Sequence, residues 1–337
     1  MRVIKYGVLI SCLLIVCFAI WVYTSLHMSS VKEEKIFSIP PRASVQSISE
    51  SLESQGLIPS AFMFRLLVKI TGEGKKIRAG DYLLTAQSSP VDILELFVSG
   101  AMYMISVTIP EGLPWWEVAL RFEKEGLVTF DDFRTLVYDK EFLMEQQLPF
   151  SSAEGFLYPE TYHFVKPVEP SRSTTRNVIA TMISMFNKQT KNIFPRTMSE
   201  KEKYDTIILA SIVEKEAQQK EERARIAGVY INRININMIL QADPTIIYGL
   251  GQGFEGRLRK RHLLDASNPY NTYKIRGLTP TPICSPSKEV IEAVLYPEKH
   301  EYLYFVAMKK DGRHFFSETL EEHNKAVQKY QLGKSTQ

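Results

Sequence analysis

The stretch Tyr204-Asp205-Thr206-Ile207-Ile208-Leu209-Ala210-Ser211-Ile212-Val213-Glu214-Lys215-Glu216-Ala217 decides how this chain is read. A helix over Lys203 to Ala217 is apolar on more than half its circumference, so it belongs inside a domain rather than on a surface. It forms part of the longest helical stretch expected, Met198 to Ile236, in which a second helix runs from about Glu221 to Asn235 after polar Gln218 to Lys220. Glu214 and Glu216 close the first helix and project from opposite faces, and periodicity cannot choose between them. A carboxyl on a buried helix is shielded from water, which raises its pKa and lets it hold a proton near neutral pH for donation to an oxygen. The competing reading makes Glu214 a helix-end residue with solvated neighbours Lys215, Glu216 and Lys220, and spacing alone favours it.

Downstream, the glycines and prolines from Asp243 to Pro286 mark a long irregular region, the kind of loop that carries a binding site when rigid helices hold it. Asp243-Pro244-Thr245 reads as N-cap, first-turn proline and helix start, which presents Gln241 and Thr245 beside the helix entrance.

Upstream, the sequence repeats itself when slid by 70 residues. Ile39, Pro40, Ile48, Leu52, Glu53, Gly56, Leu57, Ile58 and Leu66 fall on Ile109, Pro110, Val118, Phe122, Glu123, Gly126, Leu127, Val128 and Leu136 without a gap. Each copy reads as strand, turn, amphipathic helix, glycine at the helix end and a second helix. Between the copies, Lys75 to Leu84 reads as a turn entering a strand and Pro90 to Ser99 as a further amphipathic helix. A small strand-helix-helix-strand module therefore closes before about Gly100. Its arrangement resembles the LysM-like modules that bind cell-wall glycan, and a plain spacer is the equal alternative.

From Tyr6 to Leu26 there is no Asp, Glu, Lys or Arg, and about 20 apolar residues is the length that crosses a hydrocarbon core. A cleaved signal peptide would have an apolar region of only about 7 to 15 residues ending at small side chains; Trp21, Val22 and Tyr23 stand there instead. Arg2 and Lys5 precede the span and the first acid after it is Glu33. The expected orientation keeps the N-terminus in the cytoplasm and exports everything after about Met28.

Charge and cysteines narrow the function classes. Lys plus Arg (41) nearly balance Asp plus Glu (38), a net charge of +3, so no nucleic-acid partner is expected. Cys12 and Cys17 lie within the span and leave Cys284 alone in the exported part, so no disulfide can form there. The six histidines show no metal-ligand spacing, and neither a metal nor another cofactor is expected. Gly251-Gln252-Gly253-Phe254-Glu255-Gly256 satisfies G-x-G-x-x-G but opens no apolar-periodic helix, since the basic run Arg257 to His262 follows; it is a loop, not a dinucleotide site.

Several ordered blocks carry a resemblance. They are Ala210 to Ala217 with Ala227-Gly228-Val229-Tyr230-Ile231-Asn232-Arg233, Glu154-Gly155-Phe156-Leu157-Tyr158-Pro159-Glu160-Thr161-Tyr162, Leu240 to Gly249, Tyr270-Asn271-Thr272-Tyr273 with Gly277-Leu278 and Pro282-Ile283, then Tyr302 to Ala307 and His314 to Ser317 through His323-Asn324. Together these resemble the endolytic murein transglycosylase family, also called the YceG-like family, over nearly the whole chain. After Tyr273 the chain departs from the family pattern: Gly277 to Pro282 replaces a double-proline turn, and Cys284-Ser285 stands where a small residue and asparagine are usual.

The resemblance implies an α+β chain with four parts. These are a cytoplasmic N-terminus and transmembrane helix (1–28), a linker and small LysM-like module (29–103), a catalytic domain with a lysozyme-like helical core (104–332) and a disordered tail (333–337). It implies cleavage of nascent peptidoglycan glycan strands outside the inner membrane, near cell-wall synthases (penicillin-binding proteins). It makes Glu214, the first glutamate of the Val-Glu-Lys-Glu string, the catalytic acid. One carboxyl suffices for that reaction, because the 6-hydroxyl of the N-acetylmuramyl residue is a tethered nucleophile and replaces the second carboxylate of ordinary glycosidases. Gln241, Asp243, Thr245, Asn271 and Tyr273 are implied substrate contacts, with Glu160 as a sugar-orienting acid; turn chemistry or core packing competes at each. A non-catalytic, membrane-tethered glycan-binding scaffold is the alternative function.

Overall fold

A computed structural model describes residues 13–14, 16–17, 20–167, 169–308 and 312–332. About half of the expected membrane span, Tyr6 to Leu26, and the whole of the expected tail lie outside them. Residues 20–27 are helical, and among the described residues no helix is long and apolar enough to cross a membrane.

The chain is mixed α+β and divides into two compact units, residues 1–106 with 163–169, and 107–162 with 170–337. The segment His163 to Glu169 groups with the first unit.

The first unit contains β1 (Lys35–Ile39), α1 (Val45–Ser54), α2 (Ala61–Thr71), β2 (Gly80–Leu84) and α3 (Pro90–Ser99), and the chain leaves it along β3 (Met104–Thr108). β1 and β2 pair antiparallel with Phe37 opposite Tyr82 and Ile39 opposite Gly80. The alternation of the strands sends Phe37, Ile39, Tyr82 and Leu84 into one core with Ile48, Leu52, Phe64, Ile93 and Phe97. α3 starts on a reciprocal cap in which Ser89 accepts from the Asp92 amide and Asp92 accepts from the Ser89 amide at 2.8 Å. The strand-helix-helix-strand order and the extra helix stand where the sequence put them.

The 70-residue repeat is visible in the backbone. α1 and α2 recur in the second unit as α4 (Trp115–Lys124) and α5 (Phe130–Val137). Gly56 and Gly126 hold φ of 70° and 73°, a left-handed conformation that glycine adopts without a Cβ penalty. The following amides, Leu57 and Leu127, return to the carbonyls of Leu52 and Phe122 at 2.9 and 3.1 Å. Glu53 accepts from the Ala61 amide at 3.0 Å, and Glu123 from the Phe130 amide at 2.7 Å. The shared glutamate is therefore kept because it satisfies a free N–H at the start of the next helix.

The second unit continues with α6 (Lys140–Glu145), β4 (Thr161–Val165), by which the chain re-enters the first unit, α7 (Arg172–Thr190), α8 (Glu200–Glu216), α9 (Arg223–Asn235), α10 (Asp243–Leu250), α11 (Lys260–Leu264), α12 (Lys288–Leu295), β5 (Tyr304–Ala307), β6 (His314–Ser317) and α13 (Leu320–Tyr330). The expected two-helix stretch Met198 to Ile236 is α8 and α9 with a break at Ala217 between them, and α7 is the longest single helix among the described residues. α8 packs against α12 and α9, which also pack on each other. Every residue from Thr206 to Val213 is buried, and each buried Ile or Leu there contributes roughly 2 kcal/mol.

Candidate active site

The break that ends α8 sets the site. Ala217 adopts an extended conformation (φ −80°, ψ 96°), so the last helical turn delivers Glu214 and Glu216 to opposite sides of one helix end. Glu216 lines a cavity of about 540 Å³. Its other walls are Tyr230 and Arg233 from α9, Gln241 and Asp243 at the entrance of α10, Tyr273 from the irregular region, and Tyr304, His314, His323 and Asn324 from β5, β6 and α13.

Loss of hydration pushes the Glu216 carboxyl up to about 7, the neighbouring Asp243 charge pushes the same way, and Arg233 opposes them. Glu216 is thus a proton donor poised at neutral pH. Arg233 is fixed: its Nε donates to the Leu303 carbonyl at 2.7 Å, Nη1 donates to the Leu240 carbonyl, and the guanidinium lies 5.4 Å from the Tyr304 ring centroid. Burial holds its pKa below the ordinary arginine value. The Tyr273 hydroxyl donates to Asp243 Oδ1 at 2.7 Å, and burial raises the phenol. Gln241 has φ of 52°, unusual for a side chain with a Cβ, while its amide donates to the Thr272 carbonyl at 3.1 Å. Backbone strain at a cavity wall of this sort marks a residue held for its direction.

Glu214 is placed elsewhere. Its side chain is 6% exposed, Oε2 accepts from the Ser287 amide and hydroxyl, each at 2.7 Å, and Oε1 lies 3.7 Å from the Arg223 guanidinium. Glu214 therefore ties the end of α8 to the start of α12 and does not line the large cavity. The helix faces, which periodicity could not rank, are separated by the packing partners of α8.

The remaining expected site residues divide in the same way. Gln241, Asp243 and Tyr273 share the cavity with Glu216. Asp243 is not the helix cap expected of it, since Ala242 occupies that position without a side-chain bond and Asp243 is the first helical residue, which frees its carboxylate for Tyr273. Thr245 is fully buried, donates to the Ala242 carbonyl at 2.7 Å and meets the Thr272 hydroxyl at 2.9 Å; it holds the α10 entrance from inside. Asn271 is also fully buried, and its Nδ2 donates to the carbonyls of His262, Leu263 and Asp265 at 3.2, 3.3 and 2.7 Å. Glu160 is exposed, accepts from the Thr161 amide at 2.9 Å, and lines a separate cavity of about 380 Å³ with Glu111, Ser287 and Glu289. Arg233, His314 and Asn324 also line the cavity, and sequence pattern alone assigns them no role. The available signal was an arginine three residues after Tyr230 on an otherwise apolar helix face, which solvation alone does not explain.

A model of the YceG-like family matches residues 37–329. This chain belongs to the YceG-like family. Among curated YceG-like relatives, the endolytic murein transglycosylase of Bacillus subtilis (strain 168) is 33% identical over 313 residues, 87% of this chain and 84% of that protein. The endolytic murein transglycosylase of Streptococcus pneumoniae serotype 2 (strain D39 / NCTC 7466) is 30% identical over 322 residues, 86% of this chain but 57% of that protein. The chain thus spans little more than half the length of this pneumococcal relative. A 2.6 Å crystal structure of a yceG-like protein from Listeria monocytogenes matches with a TM-score of 0.58 and 32% identity, covering 88% of this chain and 99% of that one.

Proposed function

We propose that this chain is an endolytic murein transglycosylase that cleaves the bond between N-acetylmuramic acid and N-acetylglucosamine in peptidoglycan strands and leaves 1,6-anhydro ends. The observation that carries the reading is the Glu216 carboxyl, raised to about 7 in the wall of a 540 Å³ cavity with Arg233, Asp243 and Tyr273. The names of the Bacillus and Streptococcus relatives support the same activity.

The proton-donor role goes to Glu216 rather than Glu214, because Glu214 is engaged by Ser287 and Arg223 away from that cavity. Glu216 protonates the departing N-acetylglucosamine oxygen, while the muramyl 6-hydroxyl attacks its own anomeric carbon. Holding that nucleophile in place is a proximity effect and needs no activated water. Gln241, Asp243 and Tyr273 supply the amide, acid and phenol groups that orient sugar hydroxyls and N-acetyl groups. The finer readings belong to the same proposal: an inner-membrane anchor through Tyr6 to Leu26 with the second unit outside, glycan contact by the LysM-like first unit, and work beside cell-wall synthases.

The test uses the purified full chain and glycan strands, with fragments read by mass. The expected products are one water lighter than hydrolytic ones, and they disappear with Glu216→Gln. Products with reducing ends would refute the transglycosylase chemistry; retained binding without products would favour a glycan-binding scaffold. Loss of turnover in Glu214→Gln with normal turnover in Glu216→Gln would return the acid role to Glu214.

A further inference from the structure

His314 opens β6, and its side chain, 6% exposed, lines the same cavity as Glu216. Its Nδ1 lies 2.8 Å from Glu222 Oε2, and its backbone N–H donates to Oε1 and Oε2 of that carboxylate at 2.9 and 3.2 Å. Glu222 is buried and ends the short 3₁₀ turn, Lys220–Glu222, that links α8 to α9. The segment that delivers Glu216 to the cavity therefore runs directly into the residue that grips His314. In the neutral tautomer that donates Nδ1–H to the Glu222 carboxyl, Nε2 carries the lone pair. Edge contacts with Phe305 and Phe316, at centroid distances of 5.3 and 6.4 Å, hold the ring plane.

His300 shows what a framework histidine looks like in this chain. Its Nδ1 takes the Tyr302 amide at 3.1 Å and its Nε2 meets the Arg225 carbonyl at 2.9 Å, so both nitrogens are used. Among the described residues nothing bonds His314 Nε2. A buried carboxylate on one nitrogen and a cavity for the other is the arrangement of an oriented general base.

We infer that His314 is the base of this cavity and that Glu222 is its positioning residue, an inference that rests on the transglycosylase reading above. In the step, His314 Nε2 takes the proton of the muramyl 6-hydroxyl as O6 bonds to C1. The bond from C1 to the leaving oxygen breaks, its electron pair stays on that oxygen, and the oxygen receives the Glu216 proton. Imidazolium and carboxylate remain, and passage of one proton from His314 to Glu216 through solvent restores the starting state. Atoms and charges balance without a co-reactant.

The experiment measures turnover of glycan strands to anhydro-ended fragments by the full chain. His314→Asn keeps a side-chain N–H for Glu222 but has no second nitrogen; its kcat is expected to fall about 10²- to 10³-fold with little change in KM. His314→Ala is expected to lose as much and to regain at least about tenfold when imidazole is added, a rescue that a purely structural wall residue would not show. Glu222→Gln should lower kcat about tenfold while leaving KM in place. Wild-type turnover in His314→Asn, or a dead His314→Ala that imidazole leaves dead, overturns the inference. Wild-type turnover in Glu216→Gln overturns the underlying reading instead, whatever the histidine variants do.

Discussion

Replacing Glu154 by glutamine should flatten the pH dependence of this fold's stability. Glu154 is fully buried; Oε2 accepts from the Trp115 amide at 3.0 Å, Oε1 from the Gly155 amide at 3.3 Å, and the Tyr248 hydroxyl also faces the carboxyl. The Trp115 amide is the first of α4, so hydrogen bonds and helix dipole both favour the anion. Burial outweighs them and lifts the group from 4.5 to about 7. Because the folded pKa lies above the unfolded one, the folded chain binds the extra proton between those values. Its stabilising contribution is therefore complete below about 4.5 and is lost as pH rises towards 7. At 1.36 kcal/mol per pH unit the loss is about 3 kcal/mol. Glutamine keeps the shape but cannot titrate, and at low pH it turns one donor against another, at roughly 1–3 kcal/mol. Urea unfolding followed by the fluorescence of Trp115 and Trp116 gives the difference between wild type and Glu154→Gln at pH 5 and pH 8. That difference should move by about 3 kcal/mol in favour of the variant at pH 8, and comparison within the pair cancels the similar contribution of Glu216. A gap equal at the two pH values to within about 0.5 kcal/mol would refute the reasoning.

Three further outcomes are expected. Turnover should fall on the alkaline side of about 7 as Glu216 loses its proton; in pH–rate profiles Asp243→Asn should move that limb to lower pH, and Arg233→Gln to higher pH, because one neighbour raises and the other lowers the carboxyl. Gly155→Ala should cost about 2–4 kcal/mol by thermal unfolding, since φ is 88° and a Cβ would lie 2.6 Å from Pro282 Cγ. Glu53→Ala and Glu123→Ala should each cost about 1 kcal/mol and speed hydrogen exchange at the amides they hold, Ala61 and Phe130.

Much of the local architecture was legible because it depends on neighbours in sequence. The repeat is one case: a glycine that must adopt positive φ and a glutamate eight or seven residues before the amide it holds are both fixed by local chain geometry, as Gly56 with Glu53 and Gly126 with Glu123 show. The end of α8 was legible for the same reason. Local sequence cannot place Asp243, because Asp before Pro is equally good as a cap or as the first helical residue, and Tyr273, 30 positions away, decides which. Thr245 and Asn271 carry polar groups suited to sugars, yet burial assigns them to backbone carbonyls. Composition cannot distinguish a polar atom facing a cavity from one facing the protein's own loops.

By itself the sequence determined that a nearly all-apolar helix ends in two acids pointing opposite ways, because 3.6 residues per turn puts positions two apart on opposite faces. Only the tertiary structure decided which acid faces the open space. α12 brings Ser287 to Glu214, while the α10 entrance, the β5–β6 hairpin and α13 leave a cavity in front of Glu216. The reason is physical: proton affinity follows hydration and nearby charge, and those are set by groups that lie far away along the chain and meet only when it folds.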